Sequence, residues 1–124
     1  MGLFSSKRSS RQSRLNWNNV ESEEDLKAAI AASEEEHVLF FKHSTRCNIS
    51  SMALRRFEDG WDEESNCQLY FIDLIAHRAV SSALSDISGV AHQSPQAILM
   101  KDRSVNYHDS HGAISASAIQ SKIN

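Results

Sequence analysis

Residues 42–50 read KHSTRCNIS and join an apolar run to a helical pattern. The run before them, 38–41 (VLFF), has the bulky residues of a strand that is covered on both faces. The pattern that begins at their end repeats apolar residues at helical spacing, with Ile49, Met52, Ala53 and Phe57 on one face. Cys47 therefore heads a helix, where unpaired backbone N–H groups and the positive end of the helix macrodipole favour its reactive thiolate.

A serine in this motif limits the redox chemistry that the chain can perform. Ser50 stands three positions after Cys47, where a dithiol enzyme carries its second cysteine. A serine cannot accept sulfur, so exchange at Cys47 stops at a mixed disulfide until an external thiol arrives. We expect the Ser50 hydroxyl to hydrogen-bond the Cys47 thiolate, to satisfy backbone groups as a residue of the first helical turn, or to do both. Lys42 and Arg46 supply positive charge that also favours the thiolate.

This segment resembles the active-site signature of the monothiol bacilliredoxin (YtxJ-like) family. The likeness lies in residues 43–47 (HSTRC) and 49–54 (ISSMAL), with further matches at 93–96 (QSPQ) and 108–111 (HDSH). Members of this family have a thioredoxin fold and are assigned to bacillithiol redox chemistry. The resemblance implies no bound cofactor. It implies bacillithiol as a co-substrate, and bacillithiolated or disulfide-bearing proteins as partners.

The order of the predicted elements is that of a thioredoxin-like fold. Periodicity and turn residues predict helices and strands in alternation: helices at 23–33, 47–59, 78–88 and 113–122, and strands at 38–42, 68–74, 96–100 and 104–108, with a short strand around 15–17. We therefore expect an α/β protein, a glutaredoxin-like three-layer sandwich with a central mixed β-sheet and helices on both faces. The resemblance implies that the last two strands form an antiparallel hairpin.

The periodicity also predicts which helical side chains face the core. In the helix at 47–59 the four apolar residues named above are expected to be buried, and the outward positions are Arg55, Arg56 and Glu58. Gly60 suits the C-terminal cap of that helix. In the helix at 78–88 the expected inward residues are Val80, Ala83, Leu84 and Ile87.

Length and composition indicate one domain and exclude two classes of partner. The chain has 124 residues and an ordinary globular composition, which predicts a single thioredoxin-like domain at 17–124. Residues 1–16 are rich in Ser and Arg and lack periodicity, so we predict a flexible basic tail. The net charge of -3 gives no electrostatic case for nucleic acid, and no apolar stretch approaches the length of a membrane span.

The two cysteines are predicted to have different roles in a reducing compartment. No secretory segment precedes Cys47 and Cys67, which predicts a cytoplasmic protein. Cys67 opens the strand after the Cys47 helix, about one helix length away, which argues against a bridge between them. We expect Cys67 to be a buried or half-buried structural thiol.

Pro95 is the only proline of the chain and stands at the start of a predicted strand. One interpretation is a residue that simply begins the strand, where proline is tolerated. The resemblance implies another: the cis-proline loop of thioredoxin folds, which faces the active-site cysteine. In that loop the backbone of Ser94 can pair with an extended substrate.

Two histidines near these segments are candidate site residues. His43 lies four residues before Cys47, where it either stabilises the thiolate and moves a proton or is a partly exposed strand-end residue. Ser110 and His111 precede the last predicted helix, whose N-terminus receives a carboxylate of the small thiol in glutaredoxin-like folds. Because bacillithiol contains a malate unit, Arg46 and His111 are candidate carboxylate ligands. The alternative for Ser110 is capping of that helix.

These residues favour a monothiol thiol–disulfide oxidoreductase that removes bacillithiol from protein mixed disulfides through Cys47. A non-catalytic thioredoxin-fold adaptor of the stress response is the alternative from another class. An iron–sulfur cluster held by two Cys47 residues and an outside thiol is a further alternative, by analogy with monothiol glutaredoxins. A metal site is not expected, because no compact ligand pair supports the candidate set of His43, Cys47 and one of His92, His108 or His111.

Overall fold

A computed structural model describes residues 15–123 of the chain. Its elements follow in this order: β1 (Trp17–Asn19), α1 (Glu23–Ala32), β2 (His37–His43), α2 (Asn48–Gly60), β3 (Cys67–Asp73), α3 (Arg78–Ser88), β4 (Gln96–Lys101), β5 (Ser104–Ser110) and α4 (Ala116–Gln120). A 3₁₀ turn at His111–Ala113 joins β5 to α4. The predicted basic tail falls almost wholly on residues outside this range.

The five strands form one mixed sheet in the order β1-β3-β2-β4-β5. Strands β1 and β2 both run parallel to β3, whereas β4 runs antiparallel to β2 and to β5. The predicted thioredoxin-like fold is therefore confirmed, including the hairpin that the resemblance implied. Parallel β2 and β3 end at the same edge of the sheet, and this edge carries the β2–α2 loop with Cys47.

Two apolar cores lie on opposite faces of the sheet because successive strand residues point to opposite sides. Leu39 and Phe41 of β2 pack in the core that α2 and α4 cover. Val38 and Phe40, from the same strand, pack in the core that α1 and α3 cover. The strand is fully buried on both sides, which explains why its sequence is a continuous apolar run rather than an alternating one.

The ends of the chain's first and last elements differ from the sequence prediction. The first strand is Trp17–Asn19, two residues later than the short strand expected around 15–17. Leu15, which the sequence placed at the junction of the tail and that strand, is buried in the core under α2. The last helix begins at Ala116, three residues later than predicted, because residues 111–113 form the 3₁₀ turn. Ser115 caps it by accepting the Ala118 N–H at 3.2 Å.

The predicted inner face of α2 is correct for Ala53 and Phe57 and wrong for Ile49 and Met52. Ile49 and Met52 are exposed, at 62% and 66% of their surface. Glu58, predicted to face outward, is only 4% exposed and accepts the indole N–H of Trp17 at 2.7 Å. The buried face consists of Ser50, Ala53, Leu54, Phe57 and Glu58. Its spacing is helical, but it includes a serine and a glutamate, which a pattern of apolar residues does not detect.

Two smaller helix predictions need the same kind of correction. Gly60 is the last residue of α2, and the helix ends because Trp61 adopts an extended backbone, so Gly60 is not a cap. In α3, Ile87 is exposed, and Ser81 joins Val80 and Leu84 on the buried face. Gly89 does end α3, with a left-handed φ of 76° that glycine adopts without strain.

Candidate active site

Cys47 occupies the N-cap of α2, as the sequence predicted. Its backbone is extended, its C=O accepts the Ser51 N–H at 3.0 Å, and its own N–H donates to Ser44 at 3.2 Å. The side chain makes no capping hydrogen bond, and the thiol is free and partly exposed. A sulfur in this position is accessible to a disulfide substrate and lies at the positive end of a 13-residue helix. Arg46, immediately before it, is exposed.

Ser50 lies on the buried face of α2 and holds the loop that carries Cys47. Its hydroxyl oxygen accepts the Ser44 N–H at 3.0 Å and lies 2.7 Å from Nδ1 of His43. The first bond agrees with the expectation that Ser50 satisfies a backbone group, whereas the expected hydrogen bond to the Cys47 sulfur is not formed. The hydroxyl therefore joins the end of β2 to the first turn of α2, across the loop that precedes the cysteine.

His43 is buried, so the expectation of a partly exposed strand-end residue is wrong. Its ring lies 5.7 Å from that of Phe71, and its C=O accepts the Leu74 N–H at 2.9 Å. Because Ser44 already donates to the Ser50 oxygen, the tautomer of His43 determines where the serine proton points. With Nδ1 unprotonated, Ser50 donates to His43. With Nδ1 protonated, the serine proton is free for another acceptor.

Ser94 and Pro95 lie beside the end of β2. The peptide bond between them is cis, as the resemblance implied. Gln96 pairs with Lys42 across the β2–β4 ladder, so Pro95 stands next to the His43 end of β2. The hydroxyl oxygen of Ser94 is shielded from solvent and has no hydrogen-bond partner among residues 15–123.

Ser110 and His111 lie next to this proline but not at a helix N-terminus. Ser110 ends β5 and makes no side-chain cap, so the expected capping role is wrong. The following helix, α4, begins only at Ala116 and has five residues, so the carboxylate site expected at its N-terminus is not formed by this pair. His111 adopts a left-handed φ of 54° and donates its N–H to the Pro95 oxygen at 3.0 Å.

Lys42 lies on the opposite face of the sheet from Cys47 and its helix, contrary to the sequence interpretation. Its ammonium donates to the Ser85 hydroxyl at 3.0 Å and lies 3.3 Å from Nδ1 of His92. The Ser81 hydroxyl also lies 3.3 Å from that nitrogen. Burial lowers the pKa of Lys42 to about 8. Burial, with the charge of Lys42, also lowers the pKa of His92. The sequence did not indicate this polar cluster.

The buried lysine predicts a rise in stability at alkaline pH. Between about pH 8 and the ordinary pKa of 10.5, the unfolded chain keeps a proton that folded Lys42 has released. The free energy of unfolding attributable to Lys42 should therefore increase with pH, by up to about 3 kcal/mol across this range. Denaturant titrations of the wild type and Lys42→Met at pH 7 and pH 10.5 should show the rise only in the wild type.

The comparison of the wild type with Lys42→Met removes the effects of other groups that titrate at alkaline pH. Cys67 and Tyr70 have raised pKa values, so each lowers stability as pH rises, equally in both proteins. An identical pH dependence in the two proteins would contradict the assignment of a depressed pKa to Lys42.

Cys67 is remote from Cys47 and is a half-buried thiol, as expected. It opens β3 and pairs with His37, at the opposite end of the parallel strands from His43 and Asp73. Burial, with the nearby negative charge of Glu36, raises the pKa of the Cys67 thiol to about 12. This thiol therefore stays protonated near neutral pH and is a poor nucleophile. Both cysteines are free.

Two other kinds of site are absent from residues 15–123. Within residues 15–123, no three side chains of His, Cys, Asp and Glu come close enough together to hold a metal ion. No helix in this range is long and apolar enough to cross a membrane.

The sheet topology and the site together define a thioredoxin-fold protein with one cysteine at the head of α2 and a serine three residues later. Comparison with known families agrees with this class. The chain belongs to the family described as "Monothiol bacilliredoxin BrxC", which matches residues 18–119. Family and fold together support a redox role.

Solved structures with similar folds show the same thioredoxin fold. One is described as a candidate oxidoreductase with a thioredoxin fold; it is 25% identical, has a TM-score of 0.75, and the match covers 87% of this chain and 94% of that one. A thioredoxin mutant from Halobacterium salinarum NRC-1 is 17% identical, with a TM-score of 0.66 and coverage of 92% and 93%. The Malassezia sympodialis thioredoxin is 14% identical, with a TM-score of 0.68 and coverage of 94% and 96%. The last two show the fold alone.

Proposed function

We propose that the chain is a monothiol thiol–disulfide oxidoreductase that removes bacillithiol from protein mixed disulfides. One observation carries the proposal: an accessible Cys47 at the start of α2 is followed one turn later by a buried serine that cannot form a disulfide. Membership of the bacilliredoxin family supports the choice of bacillithiol as the small thiol. We place this reaction in a reducing cytoplasm, where free thiols persist.

The reaction proceeds by two thiol–disulfide exchanges. In the first, the Cys47 thiolate attacks the bacillithiol sulfur of the mixed disulfide, and the protein sulfur leaves as a thiolate that takes a proton from solvent. Cys47 then carries bacillithiol in a new disulfide. In the second, the thiolate of an external thiol attacks the bacillithiol sulfur of this adduct. Cys47 leaves as a thiolate, and the two small thiols leave joined as a disulfide.

The residues around Cys47 have separate roles in this proposal. Arg46 is exposed next to the nucleophile, where its guanidinium suits the carboxylates of the malate unit of bacillithiol. Ser94 and Pro95 form a backbone edge beside β2 for the protein part of the substrate. His111 lies against Pro95 through its N–H and borders the same edge. Ser50 and His43 position the loop that presents the cysteine.

The test is turnover of a purified protein that carries one bacillithiol on a single cysteine. Catalytic amounts of the wild type, with free bacillithiol present, should release the small thiol much faster than free bacillithiol alone. Mass spectrometry of the intact substrate follows the loss. If release is no faster than the uncatalysed exchange, Cys47 is modified only passively, and the non-catalytic adaptor becomes the better explanation.

A further inference from the structure

The solvent-exposed side of α2 carries two large apolar side chains beside the nucleophile. Ile49 and Met52 are the two most exposed large hydrophobic residues among residues 15–123. They are three residues apart on the helix, so they are neighbours on one side, and Ile49 is two residues after Cys47. Contiguous exposed apolar surface next to a reactive group is stronger evidence of an interaction site than a single exposed leucine or isoleucine.

Positive charge borders these apolar residues at both ends. Arg46 precedes Cys47, and Arg55 and Arg56 follow Met52 by one turn. All three are exposed, and none forms an ion pair within residues 15–123. The exposed residues from 45 to 56 include no acid; the first exposed acid of α2 is Asp59, one turn beyond Arg55 and Arg56 at the far end of the helix. Neither α4 nor the 3₁₀ turn, which pack against α2, contains an acid. The whole chain is acidic, at -3, so this positive region is local.

We propose that this side of α2 docks the protein substrate and selects segments that combine acidic and apolar residues around the modified cysteine. We call it the α2 face and define it by Arg46, Ile49, Met52, Arg55 and Arg56. The inference rests on the proposed function, because the docked protein is the one whose disulfide Cys47 attacks. Charge complementarity identifies the partner: Arg55 and Arg56, which form no ion pair within residues 15–123, attract carboxylates, and the apolar pair beside them gains free energy when it is covered.

The dimensions of the helix determine where the acidic residues should lie in the substrate. Arg55 and Arg56 lie about 12 Å beyond Cys47 along the helix axis, at ~1.5 Å per residue. An extended chain advances ~3.3 Å per residue, so a carboxylate about four residues from the reacting cysteine reaches these arginines. An apolar residue about two positions from that cysteine then lies over Ile49 and Met52.

Peptide substrates with one bacillithiol mixed disulfide test this arrangement. The acidic peptide has leucine two positions from the cysteine and aspartates at four and five; the basic peptide has lysines in place of the aspartates. At low ionic strength, we expect wild-type Cys47 to accept bacillithiol from the acidic peptide roughly tenfold faster than from the basic peptide. The difference should shrink as salt is added. Equal rates for the two peptides would overturn the proposal without affecting the proposed reaction.

Two charge reversals provide matched variants. Arg56 lies on the α2 face, and Lys27 is an exposed residue of α1, on the other side of the sheet. Arg56→Glu and Lys27→Glu change the net charge by the same amount. Arg56→Glu should abolish or invert the preference for the acidic peptide, whereas Lys27→Glu should keep it. If both reversals lower the preference equally, the selectivity comes from total charge and the α2 face is not the docking site.

A binding measurement separates docking from chemistry. Calorimetry of the Cys47→Ser protein with peptides that carry serine for cysteine should show tighter binding of the acidic peptide. Met52→Ser should weaken the binding of both peptides. Two further measurements test other occupants of the α2 face. Cosedimentation with vesicles of phosphatidylglycerol and phosphatidylcholine tests a membrane, and sedimentation of the protein alone tests a second copy of the chain. The proposal would be overturned if the protein showed no selectivity between the peptides but bound vesicles or self-associated, and if Arg56→Glu or Met52→Ser removed that binding. The α2 face would then belong to another occupant.

Discussion

Replacing Cys47 with serine should abolish the transfer of bacillithiol, lowering the rate to that of the uncatalysed exchange. The hydroxyl of a serine does not form the thiolate that attacks a disulfide sulfur, and no bond to oxygen can replace the mixed disulfide. Loss of bacillithiol from the substrate protein, followed by intact mass spectrometry, measures the effect. The same spectra should show an adduct on the wild type and none on the Cys47→Ser protein.

The Cys67→Ser variant is the matched control, because it removes the other thiol of the chain. Its exchange rate should stay within about twofold of the wild type, since burial keeps the Cys67 thiol protonated and it lies at the other end of β3. Its melting temperature should change by a few degrees at most, because the site is only half buried. Retained turnover in Cys47→Ser, or lost turnover in a folded Cys67→Ser protein, would refute the assignment of the nucleophile.

Replacing Ser50 with cysteine should convert the one-cysteine mechanism into a two-cysteine one. Positions 47 and 50 are three residues apart at the start of α2, where side chains are neighbours. Cys47 should still react first, because it is partly exposed and position 50 is buried. The new thiol should then attack Cys47 and expel bacillithiol as an intramolecular disulfide forms. After treatment with oxidised bacillithiol, the wild type should gain one adduct, whereas the variant should lose two hydrogen atoms.

The Ser50→Ala variant controls for loss of the hydroxyl itself. It removes the bonds to His43 and Ser44 and adds no thiol, so it should keep a stable adduct while losing about 1–2 kcal/mol of stability. A persistent adduct on a folded Ser50→Cys protein would show that position 50 does not reach Cys47. That result would refute the interpretation of Ser50 as a replaced resolving cysteine.

Much of the fold and part of the site follow from local sequence. The order of helices and strands could be predicted because buried strands and amphipathic helices leave periodic patterns in the chain. The position of Cys47 at a helix start and the serine three residues later could be predicted for the same reason. The cis peptide bond before Pro95 and the antiparallel hairpin came from resemblance to a family, since periodicity contains no information about either.

The orientation of α2 could not be predicted from periodicity. The helix buries Ser50 and Glu58 because each has a specific partner, His43 for the serine and Trp17 for the glutamate. Those partners lie on strands that are distant in sequence or separated by a loop, so no local pattern reveals them. The same orientation of α2 about its axis leaves Met52 exposed to solvent.

The chain's local patterns thus account for which residues form each element and for the position of the Cys47 thiol at a helix start. Tertiary packing accounts for what surrounds that thiol. Lys42 lies across the sheet from α2 because strand residues alternate between faces. Its ammonium therefore donates to Ser85 and lies beside His92 instead of near Cys47. His111 lies beside Pro95 because β4 and β5 pair antiparallel, which brings the end of one to the start of the other. Neither arrangement is local in sequence, because each depends on which strands are neighbours in the sheet.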